Sequence, residues 1–269
     1  MDLLLLRNLK TELIPSLVSI QDAAYENDPE GTNADSAYFV GHVHNYLKHI
    51  GISLQPDNVK FVSNNFTLGG IDKLGDPFFE TITEAYSQVT NNSSEANKAL
   101  IVINHRGASY SENLTFNDDG SYVIIQGTSK YGTVLSGTIV ISQGTHIFRN
   151  IKFTGSIQVT GGKVVFEDCI QTEAETSITG TATVMITKCD CWGNITISPD
   201  LTNVKLWCED ILNVYAPAAG EASIEIPAAL TTPEIVLRRV TAQGGVSDTG
   251  SHISETTGLE INAMIRPII

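Results

Sequence analysis

Two aspartates and a lysine offer the first chemical possibility in this chain. Asp168, Lys188 and Asp210 hold the same place in a recurring five-residue pattern: an apolar pair, two polar residues, then another apolar residue. The pattern occupies residues 147–151, 165–169, 185–189, 207–211 and 236–240, and the second residues of these segments are 18, 20, 22 and 29 positions apart. If successive segments are neighbouring strands about 4.8 Å apart, Asp168 and Asp210 stand about 9.6 Å from each other. Carboxyl groups roughly 6.5–9.5 Å apart are the arrangement of inverting glycoside hydrolysis, one acting as acid and the other as base. Lys188 between them argues the other way. It neutralises both aspartates and lowers their pKa values, the wrong direction for a general acid. A stack of strands also favours alternating charge on stability alone. The same residues therefore read as a catalytic pair or as a salt-bridge ladder, and the charge order favours the ladder.

Two such columns are legible. One runs Arg149, Glu167, Thr187, Glu209, Arg238, and the next Asn150, Asp168, Lys188, Asp210, Arg239. A second strand series falls between the five segments, at Ile139, Ile157, Ile178, Ile195 and Ile224. Two interleaved strand repeats of about twenty residues mark a solenoid of parallel strands. Its interior is expected to stack Phe148, Phe166 and Ile186 in one column, and Ile157, Ile178 and Ile195 in another. Trp207, one of only two tryptophans, is expected to face that interior. The four cysteines, Cys169, Cys189, Cys191 and Cys208, read as buried free thiols, because no Cys-x-x-Cys pair points to a metal.

Ahead of the strands the pattern is helical. Leu6, Leu9, Leu13, Leu17 and Ile20 recur at threes and fours, the apolar stripe of an amphipathic helix. Asp35 or Ser36 can cap a second helix carrying Phe39, Val40, Val43, Tyr46, Leu47 and Ile50, with Gly51 as its stop. His42, His44 and His49 lie on this helix without the spacing of a metal pair, and read as exposed or interface residues. Pro77 suits the first position of a helix over 77–89 that buries Phe78, Phe79, Ile82, Ala85, Tyr86 and Val89.

The chain has 269 residues, a formal net charge of -14 and 17% charged residues. That acidity disfavours nucleic acid as a partner. The short apolar start ends at Arg7 and Lys10 and carries Asp2, so neither a secretion signal nor a membrane span is expected.

Residues 77–137 resemble the first rungs of the pectinesterase-like and pectate-lyase-like right-handed parallel β-helices. In that superfamily a helix covers the end of the core, then a V-x-I strand leads to a Gly-x-Tyr-x-Glu-x-aliphatic turn and two further glycine-ended strands. Here those parts are Leu100 to Ile103, Gly107 to Leu114 (one residue longer), Val123 to Gly127 and Thr133 to Gly137. The resemblance implies a mainly β fold: a right-handed single-stranded parallel β-helix with a helical N-terminal region and an N-terminal capping helix. It divides the chain into a helical anchoring or oligomerisation region, 1–76, and a β-helix, 77–269. Within the latter, the capping helix is 77–89, the rungs run from about 99 to 241 and a C-terminal segment covers 242–269.

The strand motifs that carry catalysis in pectinesterases, and the calcium-binding acids of pectate lyases, are not found in this sequence. Short β-helices with an added helical N-terminus are similar to tail and surface proteins of bacteriophages, often trimers. The expectation is a non-enzymatic virion protein without cofactor or metal, made in a host cytoplasm. It is expected to be a homotrimer held to other virion proteins through Leu6, Leu9, Leu13, Leu17 and Ile20. The alternatives are a tailspike-like enzyme that degrades polysaccharide, using Asp168, Lys188 and Asp210, or a module that binds host-surface glycan.

Overall fold

A computed structural model describes residues 58–62, 78–89, 93–103, 109–172, 174–199 and 201–261. The expected helices of residues 1–50, including the stripe Leu6, Leu9, Leu13, Leu17 and Ile20 and the three histidines, lie outside the described residues.

The described chain is a parallel β-solenoid of about seven turns. Its first sheet runs in the order Phe78–Phe79, Val59–Val62, Ala99–Ile103, Tyr122–Gly127, Thr145–Arg149, Gly162–Glu167, Ala182–Thr187, Lys205–Val214, Glu234–Ala242 and Ile253–Thr257. A second sheet of seven short strands extends from Leu114–Phe116 through Ile139–Ile141, Ile157–Val159, Thr176–Ile178, Ile195–Ile197 and Ile224–Ile226 to Val246–Asp248. A third pairs Val134–Leu135, Lys152–Phe153 and Ile170–Gln171. From Tyr122 onward the chain passes from the first sheet to the third face and then to the second sheet, and these three walls enclose the core; at the N-terminal end Val59–Val62 lies between Phe78–Phe79 and Ala99–Ile103.

Alternation within each strand decides what faces inward. Phe148 is in register with Phe166, Phe166 with Ile186, Ile186 with Cys208 and Cys208 with Leu237, and all five are buried. Phe148 and Phe166 stack at 5.3 Å with their planes 15° apart, while Phe116 and Phe153 meet Phe148 edge-on at 5.5 and 5.6 Å. These are the offset and T-shaped contacts that aromatic quadrupoles favour. On the second sheet the expected column Ile157, Ile178, Ile195 separates into two. Ile157 registers with Thr176, which registers with Ile195, while Val159 registers with Ile178 and Ile178 with Ile197. Both columns face inward, so the error is two residues along the strand and not one of face.

The third wall brings Trp192 into the core. It is fully buried and bridges to Val214, in line with Gln171 and Phe153. Its indole N–H donates to Thr176 Oγ1 at 3.1 Å, and that hydroxyl donates to Gln171 Oε1 at 2.8 Å. The polar atoms of Trp192, Thr176 and Gln171 thereby satisfy one another.

The helix is Ile82–Val89, shorter than 77–89, because Phe78 and Phe79 pair as strand with Phe61 and Val62. Thr81 starts it, accepting at Oγ1 from the Glu84 amide at 3.2 Å. The Glu112 carboxylate accepts from the Ile82 and Thr83 amides at 2.8 and 3.0 Å, matching the positive end of the helix. Ile82, Ala85, Tyr86 and Val89 are buried in the interior cluster. The solenoid also takes in Val59–Val62, on the N-terminal side of the boundary expected before residue 77.

Candidate functional site

The second polar column forms one corner of the prism. Asn150, Asp168, Lys188, Asp210 and Arg239 all have left-handed backbones, with φ between 49° and 56°. Asn and Asp adopt that conformation readily through local hydrogen bonding, whereas Lys188 and Arg239 adopt it against their preference. The left-handed residue breaks the alternation of the strand. Phe166 points in, Glu167 and Asp168 both face solvent, and Cys169 points in again. The five-residue pattern is thus a strand end plus a corner. Backbone pairing continues through it: the Asp168 amide donates to Thr187 O at 3.1 Å and the Lys188 amide to Glu209 O at 3.0 Å.

The charged side chains on this edge pair across rungs, within the expected columns for Arg149–Glu167 and Asp210–Arg239 but not around Lys188. The ion pair of Lys188 is not with Asp168 or Asp210, although its charge helps Arg239 to lower the pKa of Asp210. Lys188 donates to Glu167 at 3.0 Å, and Arg149 donates to the other oxygen of the same carboxylate at 2.9 Å. Asp168 instead accepts from Lys130 at 2.7 Å, and Lys130 also reaches Asp190 at 2.9 Å. Asp210 is bridged by Arg239, which donates to Glu209 at 2.7 Å as well. Arg238 makes a two-pronged contact with Glu255 at 2.8 and 2.7 Å.

Lys130, Tyr131, Asp190 and Glu255 were not among the candidates from sequence. Lys130 sits in an excursion 38 residues before Asp168, and no spacing connects the two. Its side chain keeps 18% of its surface. Burial works against its charge, but hydrogen bonds to Asp168 and Asp190 outweigh this and raise its pKa. The neighbouring Tyr131 is 70% exposed and donates its hydroxyl to Asp190 at 2.8 Å.

At Asp210, Asp190 and Glu167 these pairings favour the ionised carboxylate. The Arg239 guanidinium pulls Asp210 below the usual range, and Lys130 does the same to Asp190. Burial tends to raise Glu167, but Lys188 and Arg149 prevail and lower it. A general acid needs the opposite, a carboxyl that keeps its proton near neutral pH. The arrangement binds one rung to the next through fixed charge pairs.

The expected placement of Trp207 is reversed. It faces outward, half-buried, with the Arg238 guanidinium 4.5 Å above its ring and its own N–H donating to Glu209 at 3.2 Å. The cause is the alternation itself: the first residue of each apolar pair points out and the second points in. The cysteines are free, with Cys169, Cys189 and Cys208 buried. Burial pushes the Cys189 thiol up to about 12 and the other two upward as well. Among the described residues, no group of three or more His, Cys, Asp or Glu side chains is placed to hold a metal ion. No described helix is long and apolar enough to cross a membrane.

No family model, curated protein or solved structure matches this chain in the comparisons made.

Proposed function

We infer that this chain is a non-enzymatic virion structural protein, a tail or surface component of a bacteriophage that projects a rigid β-helical shaft. The observation that carries this reading is the engagement of the polar edge. Glu167, Asp168, Asp190, Asp210 and Glu255 each hold a Lys or Arg from another rung or from the Lys130 excursion. That arrangement suits a shaft that carries load better than a cleft that turns over substrate. The coil is right-handed in this reading, since connections between parallel strands of one sheet overwhelmingly take that hand. The helix Ile82–Val89 serves as the cap that a solenoid end requires. The stripe Leu6, Leu9, Leu13, Leu17 and Ile20 gathers three copies and seats them on other virion proteins.

Sedimentation of the full chain tests the assembly. A trimer is expected that falls apart when Leu9 and Leu13 are both changed to Asp. A stable monomer that binds no virion protein refutes it.

A glycan-binding reading has one observation in its favour. The hydroxyl of Tyr131 is tied to Asp190 and its ring lies beside Lys130, which sets an exposed aromatic face among polar groups. Glycan-array binding that disappears in Tyr131→Ala supports it, and no binding by the wild-type protein removes it.

A further inference from the structure

The outer face of the first sheet repeats one layout over successive strands. In Gly162–Glu167 the outward residues are Lys163, Val165 and Glu167, and in Lys205–Val214 they are Lys205, Trp207 and Glu209. Between them Ala182–Thr187 presents Thr183, Met185 and Thr187, and beyond them Glu234–Ala242 presents Glu234, Val236 and Arg238. Register aligns these triplets into three columns. An apolar column, Val165, Met185, Trp207 and Val236, runs up the middle. Val165, Met185 and Trp207 are only half-buried, so water still reaches them. The flanking columns carry opposite charge. Lys163 and Lys205 stand on one side, level with Glu167 and Glu209 on the other. At the last of these rungs both signs change together, with Glu234 on the first side and Arg238 on the second.

Such a face is complementary to itself. Two copies with parallel solenoids, related by a two-fold axis along the apolar column, meet rung for rung with left and right exchanged. Lys163 then lies opposite Glu167 of the second copy, Lys205 opposite its Glu209 and Glu234 opposite its Arg238, and the symmetry makes each contact twice. Antiparallel solenoids fit less well. With the axis through Met185 along its strand, Lys163 meets Lys205 and Glu167 meets Glu209, like on like. With the axis between Met185 and Trp207, Lys163 meets Glu234 and Glu167 meets Arg238, but Lys205 and Glu209 meet only threonines.

We propose that the outer face of the first sheet, from Lys163 to Arg238, is a contact surface for the same face of a second copy, with the two solenoids parallel and a two-fold axis along Val165, Met185, Trp207 and Val236. Glu167 and Glu209 are already engaged within their own chain, but a carboxylate offers about four acceptor sites and keeps room for a further donor. Three strand steps and four residue steps make a face of about 14 by 13 Å, far below the roughly 800 Å² per partner of a standard stable interface. The contact is therefore weak, and chemical capture detects it where sedimentation does not. It goes beyond the virion reading and stands apart from the leucine stripe, since it concerns the solenoid alone.

The test uses the full-length protein with Cys191→Ser, whose remaining thiols, Cys169, Cys189 and Cys208, are buried. Cysteines are added on the surface and treated with a short bismaleimide. Met185→Cys is expected to give a covalent dimer about tenfold or more faster than Ser177→Cys, which lies on the outer face of the second sheet. A chain carrying both Lys163→Cys and Glu167→Cys is expected to stop at a dimer, because a two-fold closes on itself. Adding Lys163→Glu and Lys205→Glu to Met185→Cys is expected to slow capture about tenfold, since each swap sets like charges face to face. No dimer from Met185→Cys, capture equal to that of Ser177→Cys, a band of three chains from the double variant, or a rate indifferent to the two charge changes overturns the proposal.

Discussion

His146 makes the stability of this solenoid depend on pH in a calculable way. It points into the core in register with Val123 and Val164 and is fully buried. Its ring lies 4.9 Å from that of Phe116. Nε2 is in hydrogen-bond contact with the Tyr86 hydroxyl at 3.0 Å, and Nδ1 has no partner. Removal from water penalises the charged ring and lowers its pKa from 6.5 to about 4. The folded state therefore wants the neutral ring. At neutral pH there is no penalty. Below the unfolded value of 6.5 the unfolded chain takes up the proton first, and stability falls by about 1.4 kcal/mol per pH unit until the folded ring titrates near 4. The whole loss is about 3 kcal/mol. The carboxylates Glu167, Asp190, Asp210 and Glu255, all held low by cationic partners, add an acid loss of their own at lower pH. That part is common to wild type and to His146 variants and cancels in their difference. Urea unfolding from about pH 7 to about pH 4.5 is compared for wild type, His146→Leu and His146→Gln. The variants are expected to lose about 2–3 kcal/mol less than wild type over that range. Parallel curves for wild type and both variants refute the reasoning, because they require a ring that titrates equally in both states.

Other predictions follow from packing. Phe148→Ala removes the ring stacked on Phe166 and met edge-on by Phe116 and Phe153, and urea unfolding is expected to report a loss of about 3–5 kcal/mol. Gly155→Ala places a methyl group against the backbone carbonyl of Gly137 in the previous rung, and the same assay is expected to show about 1–3 kcal/mol of destabilisation. In Trp207→Phe the remaining emission comes from buried Trp192 and resists iodide. In Trp192→Phe the emission of Trp207 is quenched, and equal quenching in the two variants contradicts the placement of either ring.

The rungs were legible because solenoid strands repeat both a two-residue alternation and a twenty-residue step. Phe148, Phe166 and Ile186 obey both rules, so their column follows from spacing alone. Spacing did not separate the members of an apolar pair, since Met185 and Ile186 look alike in sequence while only the second points in. Trp207 was misplaced for that reason. Trp192 was missed because the third wall has strands of two residues, too short for alternation to register. A series at Leu135, Phe153, Gln171, Trp192 and Val214 was nonetheless present, with a polar Gln171 breaking its apolar character. The candidate site fared differently. Both polar columns were correctly grouped, and Arg149–Glu167 and Asp210–Arg239 pair within them; spacing did not show the diagonal partners, Lys188 with Glu167, Arg239 with Glu209 and Arg238 with Glu255. Lys130 comes from an excursion that obeys no period at all.

The central claim is that this charged edge binds rung to rung and does no chemistry. A double-mutant cycle on Lys130 and Asp190, with Lys130→Met, Asp190→Asn and their combination measured by urea unfolding, tests it most directly. The pair is separated by 2.9 Å with Lys130 mostly covered, so a coupling of about 1 kcal/mol is predicted, at the upper end for partly exposed pairs. Zero coupling, with cleavage of a glycan by the wild-type protein that vanishes in Asp168→Asn, would contradict the account.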